Sequence, residues 1–242
     1  MKARHAAAIV LLIVSSLLPV VVASANLSPL AENYDFVYPD LDTTPHATTA
    51  ANYQKALYDG TAYDAHAYFN ASAAYAYSTL DDDALFYFTG HGIKSGNDRG
   101  GGIYFYHNNQ DSYILAEGQK ITDNDPRICD FGANALDGLL FALYQGCHTA
   151  HTSTNWGNLL AKTTSKGADA ALGFDNTITA PYSNYWGDRF WYHATQENKT
   201  IVVAASNAKD DVWQRYGTYG GTNNWVIQGS STIKLHPARY GS

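Results

Sequence analysis

Three short apolar runs constrain the fold more than any other feature of the sequence. Residues 84–88, 139–144 and 168–174 are apolar almost without interruption, and each run is shorter than a typical buried helix. Consecutive hydrophobic positions fit a strand covered on both faces, because the side chains of a strand alternate between the two faces of its sheet. The runs therefore predict a buried, mainly parallel β-sheet.

The segments between and after these runs favour helices. Residues 182–195 carry aromatic side chains at helical spacing, and residues 201–216 have an amphipathic pattern. Residues 48–80 are rich in Ala and Tyr and fit two helices broken at Asp59-Gly60. Strands that alternate with helices predict an α/β domain with a mainly parallel sheet and helices on both faces.

The remaining segments are expected to form turns, an extended lead-in and short strands. Asp81-Asp82-Asp83 is expected to be a solvated turn, and the glycine run at 100–102 another turn. Residues 26–46, polar and with three prolines, are expected to form an extended lead-in, so that a single domain covers 47–242. Further short strands are expected at 103–106, 112–116, 225–228 and 233–235.

Composition narrows the class of protein. The chain is 45% hydrophobic and only 15% charged, as expected of a globular protein. It has 15 Lys and Arg against 22 Asp and Glu, and this balance excludes a broadly basic nucleic-acid binder. We therefore expect no nucleic-acid partner.

The N-terminus has the pattern of a secretory signal peptide. Lys2 and Arg4 precede an apolar run at 6–22, and Ala23-Ser24-Ala25 fits a cleavage site. We expect residues 1–25 to be removed and the protein to be secreted or on the cell surface. An uncleaved anchor is the alternative, because a membrane span needs about 17 apolar residues or more. No later segment has that length, so membrane attachment would be N-terminal only.

Two residues with reactive side chains follow the predicted strands. His91 comes after the strand at 84–88 and Cys147 after the strand at 139–144, each beside a glycine. In open α/β sheets, catalytic groups collect at the carboxyl ends of strands. A thiolate attacks a carbonyl carbon, and an imidazole transfers the proton to the leaving amine. The backbone N–H groups of Gly92 and Cys147 are placed to stabilise the oxyanion.

The residues around this pair resemble a known superfamily. Residues 85–92 (LFYFTGHG) and 143–150 (LYQGCHTA) are similar to the His-Gly and strand-to-Cys signatures of the caspase-like cysteine peptidases. That superfamily includes caspases, legumains, gingipains, separases and CHAT domains, and Cys147-His148-Thr149-Ala150 is most similar to CHAT. Later landmarks follow in the same order, at 171–173, 190–192, 204–213 and 224–229.

The resemblance, which spans about 84–235, implies a fold and an activity. The fold would be a caspase-like three-layer sandwich, and the activity that of a cysteine endopeptidase acting on a peptide or protein substrate without a cofactor. Carried over by residue, it implies His91 as general acid and base and Cys147 as nucleophile. The amides of Gly92 and Cys147 would form the oxyanion hole.

Substrate preference is expected to depend on the segment after the third apolar strand. Asp175 lies there, and as a counter-ion it would favour cleavage after Arg or Lys; its alternative role is a turn or cap. His148 is a candidate for a secondary wall of the cleft. The Trp-Pro-Val-Asp stretch common in CHAT domains is replaced by residues 174–178, which leaves a shallow neutral pocket as the competing possibility.

Three other interpretations of the sequence concern a metal site, glycosylation and a disulfide. Zinc is one alternative, because Cys147, His148 and His151 are close in sequence and His91 or His107 could complete a tetrahedral set. Paired ligand spacings are absent, so we expect no metal. Asn26, Asn70 and Asn198 begin glycosylation sequons. Export favours a disulfide between Cys129 and Cys147. Such a bond, or an inert Cys147, would make the chain a non-catalytic surface binding or structural module.

Overall fold

A computed structural model describes residues 29–38 and 41–239. The predicted signal peptide at 1–25 and the sequon at Asn26 lie outside this range. Within the described residues, no helix has the length and apolar character needed to cross a membrane.

Strands and helices alternate through most of the chain. In chain order they are β1 (Leu30–Asp35), β2 (Val37–Tyr38), β3 (Leu41–Asp42), α1 (His46–Gln54), β4 (Asp64–Phe69), α2 (Ala73–Thr79), β5 (Asp83–Thr89), β6 (His91–Ser95), β7 (Asp98–His107), β8 (Gln110–Leu115), β9 (Phe141–Gln145), α3 (Leu159–Ser165), β10 (Ala170–Phe174), α4 (Ala180–Trp191), α5 (Ile201–Tyr216) and β11 (Trp225–Gly229). A π-helical turn (Tyr192–Gln196) extends α4.

Six strands form the main sheet in the order β11-β10-β9-β5-β1-β4. Its neighbours from β10 to β4 are parallel, and β11 pairs with β10 in the antiparallel direction. A separate antiparallel sheet contains β6, β7 and β8, and β2 pairs with β3. The predicted α/β fold with a mainly parallel sheet is confirmed.

Both faces of the main sheet are covered, which explains the unbroken apolar runs. Successive side chains of β9 belong to different clusters: Phe141 and Leu143 pack on one face, and Ala142 and Tyr144 on the other. Residues of α1, α4 and α5 complete the first cluster. Residues of α2, α3 and the β6–β8 sheet complete the second. The chain therefore has three layers.

Two expectations for the N-terminal third need correction. The two helices expected at 48–80 are present as α1 and α2, but residues 64–69 between them in the sequence form the strand β4. The Ala- and Tyr-rich composition does not decide between helix and strand there, because pairing of β4 with β1 outweighs weak local preference. The expected lead-in contains β1, an inner strand of the sheet between β4 and β5, so the folded domain includes residues before 47.

The glycine run at 100–102 is part of a strand and not a simple turn. Gly100 and Gly101 adopt φ of +83° and +71° within β7. A Cβ at Gly100 would lie 2.6 Å from the carbonyl oxygen of His148, and one at Gly102 would lie 2.5 Å from that of Ile114. The glycines thus let β7 pass directly beneath the loop that follows β9.

The strand expected at residues 233–235 does not form. These residues contribute only an isolated bridge between Thr200 and Lys234.

The expected solvated acidic turn is buried at its last residue. Asp81 and Asp82 are exposed, but Asp83 begins β5 and is fully buried. Neither of its carboxyl oxygens has a hydrogen-bond partner among the described residues. Burial, with a contribution from the nearby Glu32 carboxylate, raises the pKa of Asp83 to about 9.

We predict that Asp83→Asn stabilises the protein at neutral and alkaline pH. The native state holds the Asp83 proton up to about pH 9, whereas the unfolded chain loses it near the ordinary pKa of 3.8. Unfolding therefore releases a proton between these pH values, and the free energy of unfolding falls as pH rises through that window. Asn cannot ionise. The variant should gain on the order of 1–3 kcal/mol at pH 8 and show a flatter pH dependence.

Urea unfolding between pH 4 and pH 9, followed by circular dichroism, measures this difference. The exposed Asp123→Asn is the matched control and should retain the wild-type pH profile, because Asp123 is not among the charges that act on Asp83. An Asp83→Asn profile that parallels the wild type would contradict a protonated buried carboxyl.

Candidate active site

The ends of two neighbouring strands define the site. β5 and β9 are parallel and in register, with Thr89 opposite Gln145 at their carboxyl ends. His91 and Cys147 each lie two residues beyond those positions. Both line one cavity of about 300 Å³. The structure thus brings the predicted pair together at the sheet edge where the sequence placed it.

His91 is held at the junction of the two sheets. It is the first residue of β6, directly after Gly90. The edge of its half-buried imidazole meets the Phe36 ring, with centroids 4.9 Å apart. The Tyr104 ring stacks beside it at 6.2 Å. These two aromatic rings restrict the orientation of the imidazole.

Cys147 lies in a turn against the segment that precedes α4. Its sulfur is 3.4 Å from the amide nitrogen of Ile178 and 3.4 Å from the Ile178 carbonyl oxygen. The thiol therefore donates to that carbonyl and accepts from that amide.

The disulfide that export would favour is not formed, because both Cys147 and Cys129 are free thiols. Burial, together with the Asp130 carboxylate, raises the pKa of the Cys129 thiol.

The two turns that carry the reactive pair touch through their backbones. A Cβ at Gly92 would lie 1.8 Å from the carbonyl oxygen of Cys147, and one at Gly146 would lie 2.8 Å from the Gly92 nitrogen. Only glycine permits such an approach. The contact joins the two turns that carry the Gly92 and Cys147 amides, whose role as a shared oxyanion site stays a prediction.

Thr149 fixes the turn around Cys147 and was not assigned a role from the sequence. Its buried hydroxyl donates to the Tyr144 carbonyl at 2.7 Å and accepts from the Phe174 amide at 3.0 Å. It therefore joins the ends of β9 and β10 beneath the reactive turn. The small-residue pattern after Cys147 contains this threonine, but it does not reveal which backbone groups it binds.

Gln145 forms the polar base of the cavity. Its amide nitrogen donates to the Thr89 hydroxyl at 3.2 Å and to the Ser183 carbonyl at 3.0 Å. Its carbonyl oxygen accepts from the Tyr87 hydroxyl at 3.0 Å. These hydrogen bonds tie β5, β9 and α4 together at the base of the cavity.

The described lining of the cavity is uncharged apart from the titratable reactive pair. Besides His91 and Cys147, it consists of Leu41, Thr43, Thr89, Gly90, Gln145, Thr177, Ile178, Thr179, Ala180, Ser183 and Asn184. Hydroxyl, amide and aliphatic groups thus surround the space next to the thiol.

Asp175 does not provide a carboxylate at the base of this cavity. Its half-exposed side chain pairs with His151, with an Nδ1–Oδ1 distance of 3.2 Å, and is not among the lining residues. The chain reverses direction after β10, so Thr177 and Ile178 reach the cavity while Asp175 points to the His151 loop. The expected counter-ion role is therefore not supported by the geometry.

His148 supports the cleft from behind and is not one of its described lining residues. Its Nδ1 lies 3.0 Å from the Asp175 carbonyl oxygen, and its Nε2 lies 3.1 Å from the Thr177 hydroxyl. Because a carbonyl only accepts, Nδ1 donates the proton and Nε2 accepts. His148 thus positions the segment at 175–177, of which Thr177 reaches the cavity.

The remaining candidates have structural surroundings of their own. Among the described residues, no group of three or more His, Cys, Asp or Glu side chains is arranged to hold a metal ion. His107 contacts the Asn70 carbonyl at the end of β7, three residues beyond Tyr104, which pairs with His91. Asn70 is exposed and Asn198 half-buried, and both have positive φ; their glycosylation stays a prediction.

Comparisons with known proteins show the fold. No family model matches the sequence, and no curated protein matches it. The chain is similar to separase in the Saccharomyces cerevisiae separase–securin complex, with 14% identity, a TM-score of 0.52 and coverage of 84% of this chain and 12% of that chain. It is also similar to the Arg-specific cysteine proteinase gingipain R, with 10% identity, a TM-score of 0.58 and coverage of 88% and 49%.

These likenesses show a caspase-like fold, as the sequence resemblance implied. The chain spans less than half the length of either solved structure. The finer resemblance to CHAT domains stays a prediction.

We predict that Gly92→Ala disrupts the site. The added methyl group would overlap the Cys147 carbonyl oxygen, so one of the two turns must move. Overpacking of this kind costs about 1–3 kcal/mol of unfolding free energy. Thermal unfolding measures this loss. Gly132→Ala is the matched control, because a Cβ there meets nothing within 4 Å. Wild-type stability in Gly92→Ala would show that the contact is dispensable.

We also predict that the Thr149 hydroxyl stabilises the reactive turn. Thr149→Val keeps the shape but removes the acceptor of the Phe174 amide, and it leaves the Tyr144 carbonyl with the Gly146 amide as its donor. The unpaired buried amide costs about 1–3 kcal/mol of unfolding free energy. Thr149→Ser retains the hydroxyl and should restore most of that loss. Urea unfolding of both variants measures the difference, and equal stability of the Val and Ser variants would rule out this role.

Proposed function

We propose that this chain is an exported cysteine endopeptidase in which Cys147 is the nucleophile and His91 the general acid and base. The observation that carries the proposal is the shared cavity at the paired ends of β5 and β9, lined by both side chains. The similarity to solved structures is evidence for the fold and not for the reaction. Export rests on the N-terminal sequence pattern alone.

The reaction follows from the groups that line the cavity. The Cys147 proton passes to His91 as the sulfur attacks the carbonyl carbon of the scissile bond. The carbonyl oxygen becomes an oxyanion, for which the amides of Gly92 and Cys147 serve as donors. His91 then gives the proton to the amine nitrogen, and the carbon–nitrogen bond breaks. A water molecule, deprotonated by His91, hydrolyses the thioester and restores the free thiol.

The Ile178 backbone positions the Cys147 sulfur in this scheme. Its amide donates to the sulfur at 3.4 Å. The Ile178 carbonyl accepts the resting S–H and loses that interaction when the proton moves to His91.

The cavity favours an uncharged residue before the scissile bond, which revises the expected preference for Arg or Lys. A basic side chain entering the cavity would lose water and meet no carboxylate among the described lining residues. Leaving a charge unpaired in a cleft is costly. The hydroxyl and amide groups of Thr43, Thr177 and Gln145 suit small or medium side chains that are apolar or hydrogen-bonding.

A peptide library with matched cysteine variants tests the proposal. Cys147→Ala should remove hydrolysis, and His91→Gln should lower kcat/KM by about 100- to 10,000-fold. Cys129→Ser is the control and should keep wild-type activity, because Cys129 lies outside the cavity. Cleavage should follow uncharged residues; cleavage after Arg or Lys would reinstate a basic preference and keep the reactive pair.

Inactivity of the wild type on every peptide, after N-terminal processing and limited proteolysis, would contradict the proposal. The remaining function would then be a non-catalytic binding module on the same scaffold. The free state of both cysteines removes the disulfide from that alternative, which would instead require an inert Cys147.

A further inference from the structure

A second cleft lies on the other side of His91. It has a volume of about 360 Å³ and is lined mainly by the β6–β8 sheet. His91 belongs to both clefts, whereas Cys147 lines only the first among the described residues. His91 therefore lines two spaces, of which the first also contains the nucleophile.

The chemistry of the proposed reaction assigns a direction to the substrate. The acyl part of the substrate must remain on the Cys147 sulfur, while the departing amine must lie against the imidazole that protonates it. The amine takes the proton from the same imidazole nitrogen that received it from the thiol, so the chain that follows the scissile bond leaves past His91 and away from the acyl group on the sulfur. The second cleft, which includes His91 and Gly92 but not Cys147 among its described lining residues, adjoins that path.

We propose that the second cleft binds the substrate residue that follows the scissile bond and prefers an aromatic or large aliphatic side chain there. This inference rests on the proposed function and adds a substrate preference on the leaving side.

The walls of the cleft match such a side chain. The rings of Tyr104 and Tyr113 are stacked with centroids 5.1 Å apart and planes inclined by 21°. The Tyr104 ring continues to His91, so three stacked rings lead from the imidazole along the cleft. Ile121, which is 40% exposed, provides the facing aliphatic surface.

A buried carboxylate holds the walls in place. Asp125 is fully buried, and its oxygens accept hydrogen bonds from the amides of Tyr113 and Ile121, each at 3.0 Å. The Thr122 amide and hydroxyl donate to the same carboxylate at 2.6 Å and 2.7 Å. The loop that carries Ile121 is therefore fixed to β8, and the cleft is preformed.

Charge at the rim disfavours basic side chains. Lys94 is exposed and lines the cleft, so a Lys or Arg in the substrate would meet a like charge. An apolar side chain there gains contact area with the tyrosine rings, and such a contact separates substrates by about 10- to 200-fold.

Two substrate sets separate this inference from the proposed function. Peptidyl-aminomethylcoumarins have no amino acid after the scissile bond, so their hydrolysis tests the reaction alone. Internally quenched peptides that differ only in the residue after that bond test the second cleft. We expect kcat/KM at least 10-fold higher with Phe or Leu than with Gly or Lys.

Variants of the cleft complete the test. Tyr113→Ala should reduce the ratio of Phe to Gly substrates to about 3-fold or less. Tyr106→Ala, on β7 outside both clefts, should keep the wild-type ratio. If circular dichroism shows that Tyr113→Ala is unfolded, Ile121→Ser is judged by the same ratio.

Each outcome decides a different statement. No hydrolysis of any coumarin or peptide substrate overturns the proposed function and this inference with it. Hydrolysis without a preference for Phe or Leu overturns only the inference. A preference that survives in the folded cleft variant also overturns it, because the cleft would not be its source.

Discussion

The contact between the Gly92 backbone and the Cys147 carbonyl oxygen is the constraint on which the site depends. It requires β5 and β9 to be adjacent, parallel and in register, since a shift of either strand would separate the two turns. It also excludes side chains at Gly92 and Gly146. The fully buried strands β5 and β9 supply this register, because slipping a strand covered on both faces would break its core packing.

The sequence predicts best those features that local pattern determines. The runs that became β5, β9 and β10 are apolar because both faces of the sheet are covered, and the reactive residues follow two of them. β1 and β4 were missed because their place in the sheet depends on pairing with each other and with β5. Neither has a continuous apolar run, so only the tertiary context identifies them.

The difference between local pattern and tertiary contact also explains which residues of the site could be predicted. His91 and Cys147 were found by position after strands, and their shared cavity follows from the adjacency of those strands. The positioning residue Thr149 and the wall-holding Asp125 act through hydrogen bonds to backbone groups on other segments. Asp175 was placed in the cleft by its distance along the chain from β10, but the direction of that loop carries its side chain away.

The position of His91 between two clefts has an evolutionary consequence. The first cleft is walled partly by the segment that leads into α4, whereas the second is built from a separate antiparallel sheet. Substitutions in the segment before α4 therefore change the first cleft, and substitutions in the β6–β8 sheet change the second. The shape of either cleft can diverge in this architecture while the other cleft keeps its walls.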